Sequence, residues 1–261
     1  TRQQSSRVAD PRAPLPTFAD ACEAVLAAPE RDHSVDTTLV PVHERTRPEG
    51  WSQRRERAVA GRFPADIDRV LELGCGVGVL LDRLAERYEV VGVDDRLPHL
   101  RFAAARGGAV ARGRPTDPPV RNRFGGVCAT EYATARAAAV DLCVAAYAAL
   151  RPGGLAIVVA PTDASGVAES GVGTLTDSRY RLERAVDVAS TDTIVVDYRV
   201  TDQRNGATAV TTERRRVETT TADGLTAAFR TAGFEDVVVS GGRDRSGIVI
   251  GAGARPVETG P

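Results

Sequence analysis

The 261-residue sequence predicts an α/β fold built on a mostly parallel sheet, and three observations carry that prediction. From position 66 onward short apolar runs alternate with helical patterns of about ten residues, the texture of βαβ units. One of those runs, Arg69–Leu73, leads straight into a glycine-rich turn that opens a helix. The next, Glu89–Asp94, ends on a carboxylate. Apolar residues make up 42% of the chain, enough to fill the core of one domain of about 250 residues.

Along the chain the elements follow in order. Residues 1–16 are polar and hold three prolines, so they read as a loosely attached tail. An amphipathic helix is expected over Phe18–Ala28, then a Pro- and Arg-punctuated stretch to Trp51 and a polar helix over Gln53–Ala60. Together residues 1–62 form a tail and cap segment, residues 63–254 the α/β domain and residues 255–261 a second tail. Within the domain, strands are expected at Arg69–Leu73, Glu89–Asp94, Gly126–Ala129 and Leu155–Ala160, with helices at Val77–Arg87, Pro98–Ala105 and Arg136–Leu150. In the last helix Val140, Cys143, Val144 and Tyr147 recur at helical spacing and predict the buried face.

Residues 162–220 break the alternation and predict an inserted antiparallel sheet. Its strand-like runs fall at 179–188, 193–200 and 207–218, and Ile194, Val196, Tyr198 and Val200 alternate with polar or outward positions as in a half-buried strand. Asn205-Gly206 is the dipeptide favoured in a type I′ hairpin turn. A helix over Ala222–Ala232 ends at Gly233, a C′ glycine, and two apolar runs, Val237–Val239 and Ile248–Ile250, close the domain.

Composition removes several chemistries. The chain carries 34 basic and 35 acidic side chains, so no global field draws it to nucleic acid. All the basic residues are arginine, which excludes Schiff-base and P-loop lysine chemistry. Cys22, Cys75, Cys128 and Cys143 form no CxxC pair and His33, His43 and His99 are scattered, so neither a metal site nor a disulfide framework is expected. No run approaches the roughly 20 apolar residues of a membrane span. Asp20 and Glu23 interrupt the most apolar early segment, and the chain reads as a cytoplasmic protein without a membrane partner.

The chemistry concentrates in Val70-Leu71-Glu72-Leu73-Gly74-Cys75-Gly76-Val77-Gly78. Glycines let the backbone approach a ligand closely, and the helix that follows offers amide donors. Asp94, twenty residues after Gly74, can accept hydrogen bonds from a ribose diol, which together predicts an adenosine-containing cofactor. The turn reads G-x-G-x-G, with Val79 where a dinucleotide fingerprint would hold its third glycine.

At this point the sequence resembles the class I S-adenosylmethionine-dependent methyltransferases, whose first motif is (V/I)L(E/D)xGxGxG. The resemblance covers roughly residues 66–252 and extends to Gly92-Val93-Asp94, Leu150-Arg151-Pro152-Gly153-Gly154 and Ala232-Gly233-Phe234. It implies a Rossmann-like seven-stranded sheet in the order 3-2-1-4-5-7-6 with the last strand antiparallel. It also implies S-adenosyl-L-methionine as cofactor and S-adenosyl-L-homocysteine as product. Gly74, Cys75, Gly76 and Gly78 would pack against the methionine part, Glu72 would orient the turn or a water on the ammonium group, Asp94 would bind the ribose diol, and Asp95 would also belong to the cofactor site. The insertion at 162–220, with the segment around Trp51, lies where such enzymes place a lid. The acid expected near the adenine is replaced by Arg114, with Asp117 as substitute, and Gly125 stands where the family often has Asp.

Thr130-Glu131-Tyr132 corresponds to the segment that faces the transferred methyl, which makes Glu131 and Tyr132 the catalytic candidates, with helix capping and sheet packing as their alternative roles. Asp117-Pro118-Pro119-Val120 resembles the motif of base-amino methylases, but it precedes the fourth strand and lacks the terminal aromatic residue. The expected activity is methyl transfer to an O, N or C nucleophile of a small-molecule acceptor. A non-catalytic binding protein on the same fold, an RNA or protein methyltransferase and an NAD(P)-dependent oxidoreductase are the rivals. The arginine runs 96–123 and 214–216 would serve an RNA or an anionic substrate, or else form a solvated helix face and a hairpin tip.

Overall fold

The computed structural model describes residues 14–47, 56–168, 173–241 and 247–257. The expected tail before residue 14, the stretch around Trp51, the start of the insertion at 169–172, the last turn at 242–246 and the end beyond residue 257 lie outside the described residues.

A seven-stranded sheet organises the chain. β1 (Arg69–Leu73), β2 (Glu89–Asp94), β3 (Ala109–Arg112), β4 (Phe124–Ala129) and β5 (Leu150–Pro161) are parallel, β11 (Ile248–Ala254) runs antiparallel to β5, and β10 (Glu235–Gly241) pairs with β11. Across the sheet the order is β3-β2-β1-β4-β5-β11-β10, which is the predicted 3-2-1-4-5-7-6 with the antiparallel last strand. Helices α2 (Val79–Leu84), α3 (Leu97–Ala105), α4 (Glu131–Thr134) and α5 (Ala139–Ala149) fill the crossovers, and α7 (Ala222–Thr231) precedes β10. The central strands are buried on both faces, which is why they read as continuous apolar runs. Leu71, Val127 and Val158 pack with Leu142, Ala146 and Phe229 on one side, while Val70, Cys128 and Ile157 pack with Leu80 and Leu84 on the other.

The face that α5 buries differs from the expected one. On α5 the buried residues are Leu142, Cys143, Ala145, Ala146 and Ala149, whereas Val140 and Val144 face outward. The helix turns its small side down, because alanines let it lie close to the sheet and to α7, and a pattern of large apolar residues does not register them. Gly233 does end α7 as expected: Gly233 N–H donates to Arg230 and Phe234 N–H to Phe229, the paired bonds of a Schellman motif.

The insertion forms a separate antiparallel sheet, β6-β7-β8-β9. Its strands are β6 (Gly173–Thr176), β7 (Tyr180–Ser190), β8 (Thr193–Asp202) and β9 (Thr208–Arg216), preceded by the short α6 (Ser165–Ala168). The alternation on β8 holds: Ile194, Val196, Tyr198 and Val200 are buried. They pack with Tyr180 and Leu182 against Phe18, Cys22 and Val25 of α1 (Phe18–Ala27) and against Val35, Leu39 and Val42 of the cap. α1 starts at a capping box in which Thr17 accepts from Asp20 N–H and Asp20 accepts from Thr17 N–H.

The β8–β9 turn is longer than the predicted type I′ pair. Only Gly206 is left-handed, at φ +75°, and the bonds from Gly206 N–H to Asp202 and from Asp202 N–H to Ala207 close a five-residue loop. Asp202 and Asn205 side chains accept from Arg204 and Ala207 N–H, so local side-chain bonds replace the second left-handed residue that type I′ requires. The run Arg214–Arg216 is strand rather than hairpin tip, with Arg215 turned inward and its neighbours outward. Among the described residues no helix is long and apolar enough to cross a membrane.

Candidate cofactor and acceptor site

The site lies at the carboxyl ends of β1, β2 and β4, where the crossover helices begin. Gly74 N–H and Cys75 N–H both donate to Val93 C=O, at 2.7 and 3.1 Å, which ties the turn after β1 to the end of β2. Gly74 adopts φ +72°, and a Cβ there would stand 2.7 Å from Ala133 Cβ at α4. The turn is therefore pressed against the segment after β4, and only glycine satisfies both the dihedral and the contact. Cys75 packs beneath Gly92, and burial, with Glu72 and Asp94 nearby, pushes its thiol pKa up, so it serves as a packed thiol and not as a nucleophile. Glu72 is completely buried beneath the turn.

Asp94 is the hub. Its Oδ2 accepts Gly76 N–H at 3.0 Å and Arg96 Nη2 at 2.6 Å, and its Oδ1 accepts Arg96 N–H at 3.0 Å and Arg96 Nε at 2.8 Å. Those four bonds fill the acceptor sites of the carboxylate. Burial alone would raise its pKa, but the Arg96 guanidinium and the amide donors hold it below the ordinary carboxylate range.

Arg96 continues into the cap. Its Nη1 donates to Asp36 Oδ1 at 3.0 Å, Asp36 Oδ2 accepts Arg136 Nη2 at 2.8 Å, and His99 Nε2 stands 3.3 Å from Asp36 Oδ1 and 2.9 Å from Val35 C=O. Burial opposes the charge on Asp36, yet His99 and the two arginines keep its carboxyl well below the usual range. One cap residue thus joins α3 to the segment after β4 across the edge of the sheet. His43, buried and 6.2 Å ring to ring from His99, is held neutral by burial and by the cations around it.

The remaining sequence-predicted residues divide. Glu72, Gly74, Cys75, Gly76, Gly78 and Asp94 come together as expected. Asp95 follows Asp94 with its side chain 58% exposed. Asp117 lies in the loop after β3, ion-paired with Arg121 at 2.8 Å and 75% exposed, and Arg114 bridges back to it. Gly125 begins β4 at the far end of the strand, under Arg151, so the Asp missing there is not a missing cofactor contact. Glu131 and Tyr132 open α4 immediately after β4, and their side chains lie outside the described residues.

Sequence reading missed Asp36, Arg136, His43 and His99, and took Arg96 for part of a solvated patch. Only Arg96 carried a signal, its place two residues beyond the strand-end acid. The others reach the site from segments with no motif.

A scan against protein-family models returns no match, and a search of the curated proteins returns none either. The fold is that of S-adenosylmethionine-dependent methyltransferases of known structure. An amino pentose methyltransferase from Micromonospora echinaspora, solved with the cofactor bound and involved in calicheamicin biosynthesis, is 20% identical. It matches with a TM-score of 0.61 over 86% of this chain and 100% of that one. A sugar N-methyltransferase from Streptoalloteichus is also 20% identical, with a TM-score of 0.61 over 80% of this chain and 87% of that one. A glycopeptide N-methyltransferase in complex with S-adenosyl-L-homocysteine, 20% identical, gives 0.52 over 78% and 86%.

Proposed function

We propose that this chain is an S-adenosylmethionine-dependent methyltransferase that acts on a nucleophile of a small-molecule acceptor. The observation that carries the reading is the buried Asp94 at the end of β2, bonded to the glycine turn after β1. The residues fit the cofactor: a turn whose backbone has no room for a side chain at Gly74, a carboxylate at the ribose position and Glu72 beneath them. Gly74, Cys75, Gly76 and Gly78 would hold the methionine part, Glu72 the turn, Asp94 the ribose, and Asp95 and Asp117 would flank the adenine. Bound there, the sulfonium supplies an electrophilic methyl group for in-line displacement.

The chain's own contribution is alignment and exclusion of water, which suffice for much of such a barrier. The inserted sheet and the cap act as the lid. Glu131 and Tyr132, which follow β4, would stand on the methyl side of the cofactor. Arg96 must let go of Asp94 when the ribose arrives, and Asp36 is placed to keep its guanidinium. The small-molecule acceptor is supported by the neighbours named above, which methylate sugars and a glycopeptide; fold alone does not assign a substrate.

The grip of Arg96 on Asp94 favours one other reading, a binding protein that keeps the fold without the chemistry. Calorimetry with S-adenosyl-L-homocysteine and with NADH decides. Binding of the first alone, followed by methyl transfer to amino or hydroxyl acceptors, is the expected result. NADH binding without the homocysteine compound overturns the proposal, and homocysteine-adduct binding with no acceptor among small metabolites supports the non-catalytic reading.

A further inference from the structure

The inner face of the inserted sheet is apolar except at one place. On β7 the inward series runs Tyr180, Leu182, Arg184, and on β8 it runs Ile194, Val196, Tyr198, Val200. Arg184 and Tyr198 are directly opposed across the two strands, and Arg215 of β9 also points inward. Arg184 is 1% exposed and Tyr198 is fully buried. Arg184 and the Tyr198 hydroxyl interact with each other, and beyond that contact neither the guanidinium nor the hydroxyl has a hydrogen-bond partner among the described residues.

A buried guanidinium without a carboxylate partner is strongly unfavourable, and a residue of similar length without charge would satisfy the packing. The nearest carboxylate is already engaged: Glu213 Oε1 lies 3.1 Å from Arg215 Nε, and its Oε2 accepts Val35 N–H at 3.4 Å. Arg47 of the cap is near enough for its charge to act on Arg184, and burial together with that second cation pushes Arg184 down to about 10. Buried cations with unfilled donors favour the arrival of an anion.

The location fits an acceptor. Arg184, Arg215 and Arg47 surround His43, which stacks near His99, and His99 contacts the Asp36 that holds Arg96 on Asp94. A molecule anchored on Arg184 would therefore lie between the lid and the ribose carboxylate. We infer that Arg184, Arg215 and Tyr198 seat an oxyanion, a carboxylate or phosphate group carried by the methyl acceptor. This rests on the methyltransferase reading for the word acceptor, though not for the anion. Entry requires the inserted sheet to part from the cap, where β6 meets the chain at Thr46.

The test is the thermal midpoint in phosphate and in acetate, each against chloride at equal ionic strength, for the full chain and for Arg184→Met, Tyr198→Phe and Arg216→Met. The last removes an arginine that is 79% exposed and serves as the control. One of the two oxyanions should raise the midpoint of the parent chain and of the control, and which of them does so identifies the group. Arg184→Met should weaken its apparent affinity about tenfold or more, and Tyr198→Phe severalfold. If Arg184→Met fails to fold, Tyr198→Phe carries the test. An equal response in chloride, no response to either oxyanion, or an undiminished response in the inward variants overturns the inference. Calorimetry with S-adenosyl-L-homocysteine on the same proteins separates the two claims. Its failure in the parent chain sinks the methyltransferase reading and leaves the oxyanion response standing on its own.

Discussion

The carboxyl edge of the main sheet and the Arg184–Tyr198 pair on the otherwise apolar inner face of the inserted sheet both bury polar groups, and they solve that problem in opposite ways. At the edge, Asp94 has every acceptor site filled, by a glycine amide and by Arg96. Under the insertion, Arg184 and Tyr198 keep donors that nothing in the described chain fills. A site whose charge is satisfied within the chain must exchange a partner when a ligand binds, whereas a site with unfilled donors is stabilised by the ligand directly. The first arrangement implies competition, the second implies vacancy for a group of opposite charge.

The largest effect is expected at the glycine turn. Gly74→Ala combines a left-handed dihedral with a Cβ pressed on Ala133 and should cost about 3 kcal/mol in urea unfolding. A cost below about 1 kcal/mol would mean that the turn is not held against α4. Next comes Asp94→Asn, which should weaken S-adenosyl-L-homocysteine roughly tenfold to a hundredfold by calorimetry, the loss of charge-assisted bonds. Unchanged affinity would remove Asp94 from the ribose site.

At the contrasting site the sign should reverse. Replacing a buried cation that has no carboxylate partner among the described residues by a methionine of similar length, Arg184→Met, is expected to raise stability in the absence of ligand by about 1–2 kcal/mol. A loss of that size would show that the parent chain already satisfies the guanidinium.

Acid unfolding sharpens the difference. Asp94 and Asp36 have folded pKa values below the unfolded value of about 3.9. Their contribution is therefore complete above that pH and disappears as the pH falls through the folded values. Arg96→Gln withdraws the main support of Asp94 and leaves burial to raise it, while His99 and Arg136 still hold Asp36 down, so circular dichroism should show acid unfolding beginning at higher pH. The smallest effect is reserved for Gly206→Ala in the β8–β9 turn. Its dihedral matches that of Gly74 but a Cβ meets nothing within 4 Å, so about 1 kcal/mol is expected. The gap between the two glycine variants isolates the contact with Ala133 from the cost of the left-handed backbone.

Much of the main sheet was legible because its signals are contiguous. β1 and β2 fall on the predicted residues, and the glycine turn and Asp94 meet because each follows its own strand by a fixed number of residues. Of the inserted strands β7, β8 and β9 were legible, β8 from an alternation whose inward positions came out as read, whereas β6, short and rich in Gly and Thr, was not. The buried face of α5 was not, since alanine carries too little hydrophobic contrast to reveal which side faces the sheet.

The sequence by itself determined the central strands, the turn and the strand-end acid, because local hydrogen bonding and period-two or helical patterning are properties of neighbouring residues; the strand order came from the family resemblance those residues carry. Only the tertiary structure decided who surrounds that acid. Asp36, His99 and Arg136 converge through packing of the cap on the sheet edge, and His43, Arg184 and Arg215 through packing of the cap on the insertion. Such clusters are assembled from segments up to 172 positions apart, from 43 to 215, and no periodicity along the chain records a contact made across it.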